Sequence, residues 1–251
     1  MRKGRVFLVV LAFLSFLGLN AQSPSGHRTV VVLMDLSLSC SNAGLFPYYR
    51  EDFEKVLKGL GFGDTIVVAT ITGDSSAELD LPVNETLPVL KSNTDNPLVL
   101  RGMQEEAESQ KVARIKAIAK KVDGLLQSKP QIKSTDLFGG MEMASRVFKS
   151  YPNPNRVLIV LSDMQQDADG VDFYRNDLSN RSINAIIKKL QAQGQLPDLT
   201  GTRILVACAQ PPNSNVSRYR SIRSFWIAYF GACHARLDPS DYGAALIRLA
   251  D

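Results

Sequence analysis

Four short runs of β-branched and aliphatic residues constrain the fold of this chain more than any other feature. They predict strands at residues 29–34, 65–72, 156–161 and 203–209. In each run apolar residues follow one another with little polar alternation, which indicates strands that are buried on both faces. Strands of this kind lie at the centre of parallel sheets that carry helices on both sides.

Stretches with apolar residues at helical spacing separate and follow these runs. They predict helices at residues 48–60, 105–126, 139–148, 183–191 and 216–232, then a short strand from residue 237 and a closing helix at residues 242–249. Strands that alternate with helices predict an α/β fold of three layers, α/β/α, around a doubly wound, mostly parallel sheet.

Residues 73–104 fit this alternation less well, because they contain Pro82, Pro88 and Pro97 among many Asn, Asp and Ser residues. We expect residues 78–83 to form one antiparallel edge strand that pairs with residues 66–71, followed by an insertion. A chain of 251 residues, of which 45% are apolar, can bury the core of one large domain. We therefore predict a single domain at residues 22–251.

The first 21 residues have the layout of a secretory signal peptide. Arg2, Lys3 and Arg5 precede an uncharged, largely apolar run of about 14 residues, which is shorter than the roughly 20 residues of a membrane-spanning helix. An uncleaved signal anchor is the alternative. Removing residues 1–21 removes three of the 29 basic residues and none of the 25 acidic ones, which leaves a net charge of +1. The bulk charge therefore does not favour nucleic-acid binding, and we predict an exported protein with no membrane span after removal of the signal.

The three cysteines are too few to build a disulfide scaffold. Cys208 and Cys233 could form a disulfide in an oxidising compartment, since both are expected near the same edge of the fold. Two buried free thiols are the alternative, and Cys40 would remain unpaired in either case.

Two aspartates follow predicted strands at the rim where the carboxyl ends of parallel strands meet. Asp35 ends the first strand, and Asp163 follows the strand at residues 156–161. Two carboxylates beside buried apolar strands are costly and repel each other, and a bound cation would resolve both problems. Ser37 and Ser39 alternate with apolar residues after Asp35, so an extended segment would place their hydroxyls on the same side. Oxygen ligands suit Mg²⁺ first, with Mn²⁺ and Ca²⁺ as alternatives, whereas the lack of a His or Cys cluster argues against zinc or copper.

The segment from Asp35 to Ser39 resembles the Asp-x-Ser-x-Ser motif of von Willebrand factor A (vWA) domains. In that family a metal ion-dependent adhesion site is completed by a threonine from a second loop and an aspartate from a third. Thr135 and Asp163 match those positions, and Asp136 could support the ligands from outside the metal's own shell. The resemblance extends over the predicted domain and implies a vWA/Rossmann-like fold. Leu38 and Met164 depart from the pattern, because glycine is common at both places in the family.

The resemblance also implies a function. Three of the five ligands would be neutral hydroxyls, so the ion would keep part of its charge and attract an anionic group. In the family this group is typically an Asp or Glu carboxylate of a partner protein. We therefore expect a non-enzymatic domain for protein–protein interaction or adhesion, in the periplasm, at the cell surface or outside the cell.

Two other functions remain open from the sequence. The domain could be a structural subunit of an envelope or secretion assembly, in which the metal orders the loops. A strand ending in aspartate also begins Mg²⁺-dependent phosphatases of the haloacid dehalogenase type. Those enzymes generally need a second aspartate two residues later, where this chain has Ser37.

Overall fold

A computed structural model describes residues 26–75, 80–90, 94–128, 132–168, 170–209, 215–246 and residue 249. The predicted signal peptide lies outside the described residues, and so do parts of the segment at residues 73–104. Within the described ranges, none of the helices combines the length and the hydrophobicity that crossing a bilayer requires.

The described residues form one six-stranded sheet and one two-stranded sheet. The strands are β1 (Thr29–Asp35), β2 (Thr65–Ile71), β3 (Val83–Thr86), β4 (Arg156–Leu161), β5 (Asp167–Ala168), β6 (Val171–Asp172), β7 (Arg203–Ala207) and β8 (Arg236–Tyr242). The order in the larger sheet is β3-β2-β1-β4-β7-β8, and only β3 pairs in the antiparallel direction. Every residue of β1 and β2 is buried, as the uninterrupted apolar runs predicted.

Helices cover both faces of this sheet. They are α1 (Leu38–Asn42), α2 (Phe46–Lys58), α3 (Pro97–Gln127), α4 (Leu137–Ser150), α5 (Asn180–Ala192) and α6 (Val216–Ala232). Apolar residues of α1, α2 and α3 form one core with one face of the sheet, and those of α4, α5 and α6 form a second core with the other face. The predicted three-layer, mostly parallel α/β architecture with one antiparallel edge strand is therefore confirmed.

The long helix α3 begins earlier than the sequence predicted. Its first turn holds the apolar residues Leu98, Val99 and Leu100 in a row rather than at helical spacing, and Leu98 and Val99 are exposed, so this turn shows no amphipathic pattern. They are stabilised at the start, because the Asn96 side chain accepts a hydrogen bond of 3.0 Å from the N–H of Leu98, and Pro97 occupies the first helical position.

Two other predictions for the edges of the sheet were wrong. The antiparallel strand is β3 at Val83–Thr86 rather than residues 78–83, of which 78 and 79 lie outside the described residues. Pro82 directly precedes β3 and cannot donate to a strand ladder. The described residues 242–246 do not form the start of the predicted closing helix. Their backbone instead pairs with the end of β7: Gly243 N donates to Val206 O at 3.1 Å, and Cys208 N donates to Ala244 O at 3.2 Å.

The three cysteines are buried free thiols. The disulfide considered between Cys208 and Cys233 is not formed, because the two side chains lie on opposite faces of the sheet. Cys208 belongs to the core under α2 and α3, and Cys233 belongs to the core under α4 to α6.

Candidate metal centre

The register between β1 and β4 brings the first two elements of the site together. Met34 pairs with Leu161, so Asp35 and Ser162 follow at the same rim of the sheet. The Ser162 hydroxyl donates to one Asp35 oxygen at 2.7 Å, and the Ser37 N–H donates to the other at 3.0 Å. The Asp35 side chain is therefore fixed from two sides.

Asp163 is the second carboxylate of the site. Asp35, Cys40 and Asp163 each offer one possible metal-ligand atom, and these three atoms lie within 4.8 Å of one another. Asp35 is 0% exposed and Asp163 is 5% exposed. Burial and, next, the charge of Asp35 raise the pKa of Asp163 to about 7, and burial raises the pKa of Asp35 as well.

No positive side chain compensates these two acids within the described part of the chain, since none of its ion pairs involves Asp35 or Asp163. Two adjacent buried carboxylates cannot both ionise cheaply without a cation. The donor set of this pair and the nearby serine hydroxyls fits a small, hard divalent ion.

Ser37 and Ser39 lie beside the carboxylates, with their hydroxyl oxygens 3.0 Å apart. The expected extended segment through Ser39 was wrong, because α1 begins at Leu38. Ser37 is extended and occupies the N-cap position, but its side chain makes no capping hydrogen bond. The two hydroxyls thus meet across a strand-to-helix transition rather than along one side of a strand.

The loop that contains Thr135 is tied to both other loops through its backbone. Ile132 O accepts from Leu38 N at 3.0 Å, which links it to the first loop. Thr135 O accepts from Asp167 N at 3.2 Å, and Thr135 N donates to the Asp167 carboxylate, which links it to the third loop. Thr135 is buried. All three predicted ligand loops therefore meet at one rim of the sheet.

Asp136 stabilises the second loop. One of its oxygens accepts from Gly139 N at 2.8 Å as the N-cap of α4, and the other accepts from Ser75 N at 2.9 Å. Its own N–H donates to Thr72 O at 2.9 Å, just beyond β2. The Asp136 carboxylate thus holds the position of Thr135's loop.

Sequence reasoning missed several residues of the site. Ser162 directly precedes Asp163, but its hydrogen bond to Asp35 depends on the register between β1 and β4, which the sequence does not show. Gln166 carries no sequence signal, yet it is buried, and its side-chain oxygen accepts from Leu137 N at 2.7 Å while its amide donates to Ala168 O at 3.0 Å. Gln166 thereby joins the start of α4 to the third loop.

Met164 departs from the family pattern in residue type but keeps a backbone conformation that favours glycine. Its φ angle is 62°, in the left-handed region. Its N–H donates to the Ser162 hydroxyl at 2.8 Å, and its carbonyl accepts from the Trp226 indole at 2.9 Å. These two bonds, with burial of the side chain, hold the strained turn after Asp163.

Two tyrosines that lie near the ligand loops in sequence reach solvent. Tyr174 is 58% exposed and Tyr48 is 44% exposed, whereas Tyr49, Phe138 and Phe173 are core residues. Partial burial and the nearby charge of Asp163 raise the pKa of Tyr174 to about 12.

Comparison with known proteins found similar structures but no similar sequence family. No protein-family model matches the sequence, and no curated protein matches it. Similar solved structures include a von Willebrand factor type A protein from Catenulispora acidiphila, with 12% identity, a TM-score of 0.43 and coverage of 85% of this chain and 39% of that chain.

Two further similar structures come from other organisms. An aerotolerance-related membrane protein from Bacteroides fragilis, solved with multiple mutations to serines, has 14% identity and a TM-score of 0.39, covering 85% of this chain and 93% of that one. The manganese-loaded TRAP protein of Plasmodium vivax has 12% identity and a TM-score of 0.41, covering 79% and 63%. Likeness at this level says nothing about binding or chemistry. By the strand order of its larger sheet, the antiparallel edge strand and the two helical layers, the chain has a von Willebrand factor A-like, doubly wound α/β fold.

Proposed function

We propose that this protein binds a divalent cation through Asp35, Ser37, Ser39, Thr135 and Asp163, and uses the ion to hold a carboxylate of a partner protein. The observation that carries the proposal is the pair of buried carboxylates, Asp35 and Asp163, beside two hydroxyls that lie 3.0 Å apart. A dication between them would convert an unfavourable repulsion into attraction.

The chemistry of the site favours Mg²⁺, with Mn²⁺ and Ca²⁺ as the other candidates. Cys40 lies within the same group of atoms, but burial and the charges of the two aspartates raise its thiol pKa well above the ordinary value. A neutral thiol is a poor ligand, so the oxygen atoms dominate the donor set.

The ion would keep affinity for an outside anion. Only two of the five proposed ligands carry charge, and the hydroxyls of Ser37, Ser39 and Thr135 are neutral. A position left to water could be taken by an Asp or Glu side chain of a partner, and the exposed ring of Tyr174 beside the site could contact the same partner. The predicted signal peptide at residues 1–21 would take the protein to the periplasm, the cell surface or the outside of the cell, where we expect it to bind this partner.

Isothermal titration calorimetry with Mg²⁺ and Mn²⁺ tests the proposal. We expect one site per chain and a rise in melting temperature on metal addition for the wild type, with neither response for Asp35→Ala. Asp123→Ala is the matched control, because Asp123 is a half-exposed residue of α3 that pairs with Arg50 at 2.7 Å. Equal metal responses in wild type and Asp35→Ala would exclude this site.

A further inference from the structure

The opposite rim of the sheet carries a row of arginines. Arg28 directly precedes β1, and Arg156, Arg203 and Arg236 are the first residues of β4, β7 and β8. These four strands are neighbours in the sheet, and Arg203 pairs in register with Arg236. Since adjacent strands lie about 4.8 Å apart, the four basic residues gather along one edge.

A cavity of about 320 Å³ opens at this rim and is lined by all four arginines, together with loop residues that include Asn155. Its volume lies at the lower end of the range for small-molecule pockets, roughly 300 to 1,000 Å³. The cavity lies at the amino ends of the parallel strands, whereas the candidate metal centre lies at their carboxyl ends. The two features are therefore separate.

Two of the four positive charges already have acidic partners. Arg28 pairs with the buried Asp64 at 2.7 Å, and Arg203 pairs with Asp241 at 3.2 Å. Ion pairs formed by described residues do not include Arg156 or Arg236. The charge of Asp198 acts on Arg156, but the two do not form an ion pair. The cavity lining includes four arginines and no acidic residue, so its wall is basic and suits an anion.

The two arginines without an ion-pair partner differ in how their side chains are held. The Arg156 guanidinium lies over the Phe148 ring, 5.9 Å from its centroid, and its Nε donates to Asn153 O at 3.0 Å. Arg156 is therefore held in place before any ligand arrives. Arg236 is exposed and can turn toward a ligand at low cost. A preorganised and a mobile arginine together suit capture of an oxyanion.

We propose that this cavity binds a dianionic phosphate group, either free or as the head of a phosphate monoester. Guanidinium groups donate two parallel hydrogen bonds to phosphate oxygens, which makes arginine the side chain best suited to this anion. The binding requires no metal and no residue of the candidate metal centre.

Calorimetry with inorganic phosphate at pH 8, at an ionic strength fixed with sodium chloride, tests the proposal. We expect one phosphate per wild-type chain and affinity reduced about tenfold or more in Arg236→Gln and in Arg156→Gln. Arg101→Gln, at an exposed pair with Glu105 on α3, should bind phosphate as the wild type does. Absence of binding by the wild type, or unchanged affinity in both cavity variants, would overturn the proposal.

Further arms identify the source of the phosphate and separate the two sites. Glycerol 3-phosphate that competes with phosphate would support a free ester, and co-sedimentation with phosphatidic acid vesicles that Arg236→Gln abolishes would support a lipid headgroup. Asp35→Ala should bind phosphate normally. If the wild type binds phosphate but not Mg²⁺, only the metal centre is rejected. If it binds Mg²⁺ but not phosphate, only the arginine cavity is rejected.

Discussion

Replacing Asp163 by asparagine should stabilise the metal-free protein, although it removes a proposed metal ligand. Asp163 has its pKa raised from 3.8 to about 7 in the folded chain. The folded state therefore binds this proton more tightly than the unfolded state. The resulting stability is fully present below pH 3.8 and is lost as the pH rises through about 7.

The size of the effect follows from the two pKa values. Each pH unit between them is worth about 1.4 kcal/mol, so the carboxylate costs the folded state roughly 4 kcal/mol at pH 8 and roughly 2 kcal/mol at pH 5. Asparagine cannot ionise, and its side-chain oxygen can still accept the bond that Gln165 N makes to Asp163 at 3.0 Å. Asp163→Asn should therefore raise the free energy of unfolding by about these amounts.

Urea unfolding in the presence of a chelator, at pH 5 and at pH 8, measures both values. The half-exposed Asp123, replaced by asparagine, is the control and should show no comparable gain at either pH. Added Mg²⁺ should stabilise the wild type and leave Asp163→Asn unchanged. If Asp163→Asn were no more stable than the wild type at pH 8 without metal, the proposed cost of burying the Asp163 carboxylate beside Asp35 would be refuted.

Three further predictions concern the surroundings of the site and the core. Ser162→Ala should lower the free energy of unfolding by about 1 to 3 kcal/mol in chelator, because it removes the 2.7 Å donor to Asp35 and the acceptor for Met164 N; a urea titration that overlays the wild type would contradict this. Asp64→Ala should lower the free energy of unfolding by roughly 3 kcal/mol in the same assay, since it leaves Arg28 without its partner. A loss no larger than that typical of an exposed ion pair would contradict the stabilising role of this buried pair. The three buried thiols should react with a thiol reagent only after denaturation, and a reductant should not change the melting temperature; a fall in that temperature would reveal a disulfide.

The central strands of the fold could be predicted from the sequence, because they are buried on both faces. β1 and β4 lie between other strands and beneath two helical layers, so nearly every residue is apolar and the run itself marks the strand. The helix α6 was predicted with its observed bounds, Val216–Ala232. In these segments local pattern and tertiary burial agree.

The structure at the edges of the sheet could not be predicted, because it depends on contacts between residues that are distant in sequence. Residues 243–246 lack a helix since their backbone groups bond to the end of β7 and to the Asp52 carboxylate, which accepts from Leu246 N at 3.0 Å. The edge strand β3 has only four residues, of which Val83 is fully buried. Such a short strand gives too little pattern to fix its bounds.

The residues of the candidate site were likewise predicted only in part. The motif identified Asp35 and Asp163, because an acid after a buried strand is unusual enough to be noticed. The contribution of Ser162 depends on strand register, and the place of Cys40 beside the carboxylates depends on the turn into α1. Neither can be derived from spacing along the chain.

Anomalous diffraction from crystals grown with Mn²⁺ tests the central proposal most directly. We predict one manganese ion per chain at the carboxyl rim of the sheet, with oxygen atoms of Ser37, Ser39 and Thr135 within about 2.5 Å or joined to it through one water. Asp35 and Asp163 should border the same ion. A manganese peak elsewhere, or a site that Thr135 does not reach, would contradict the proposed convergence of three loops on one cation.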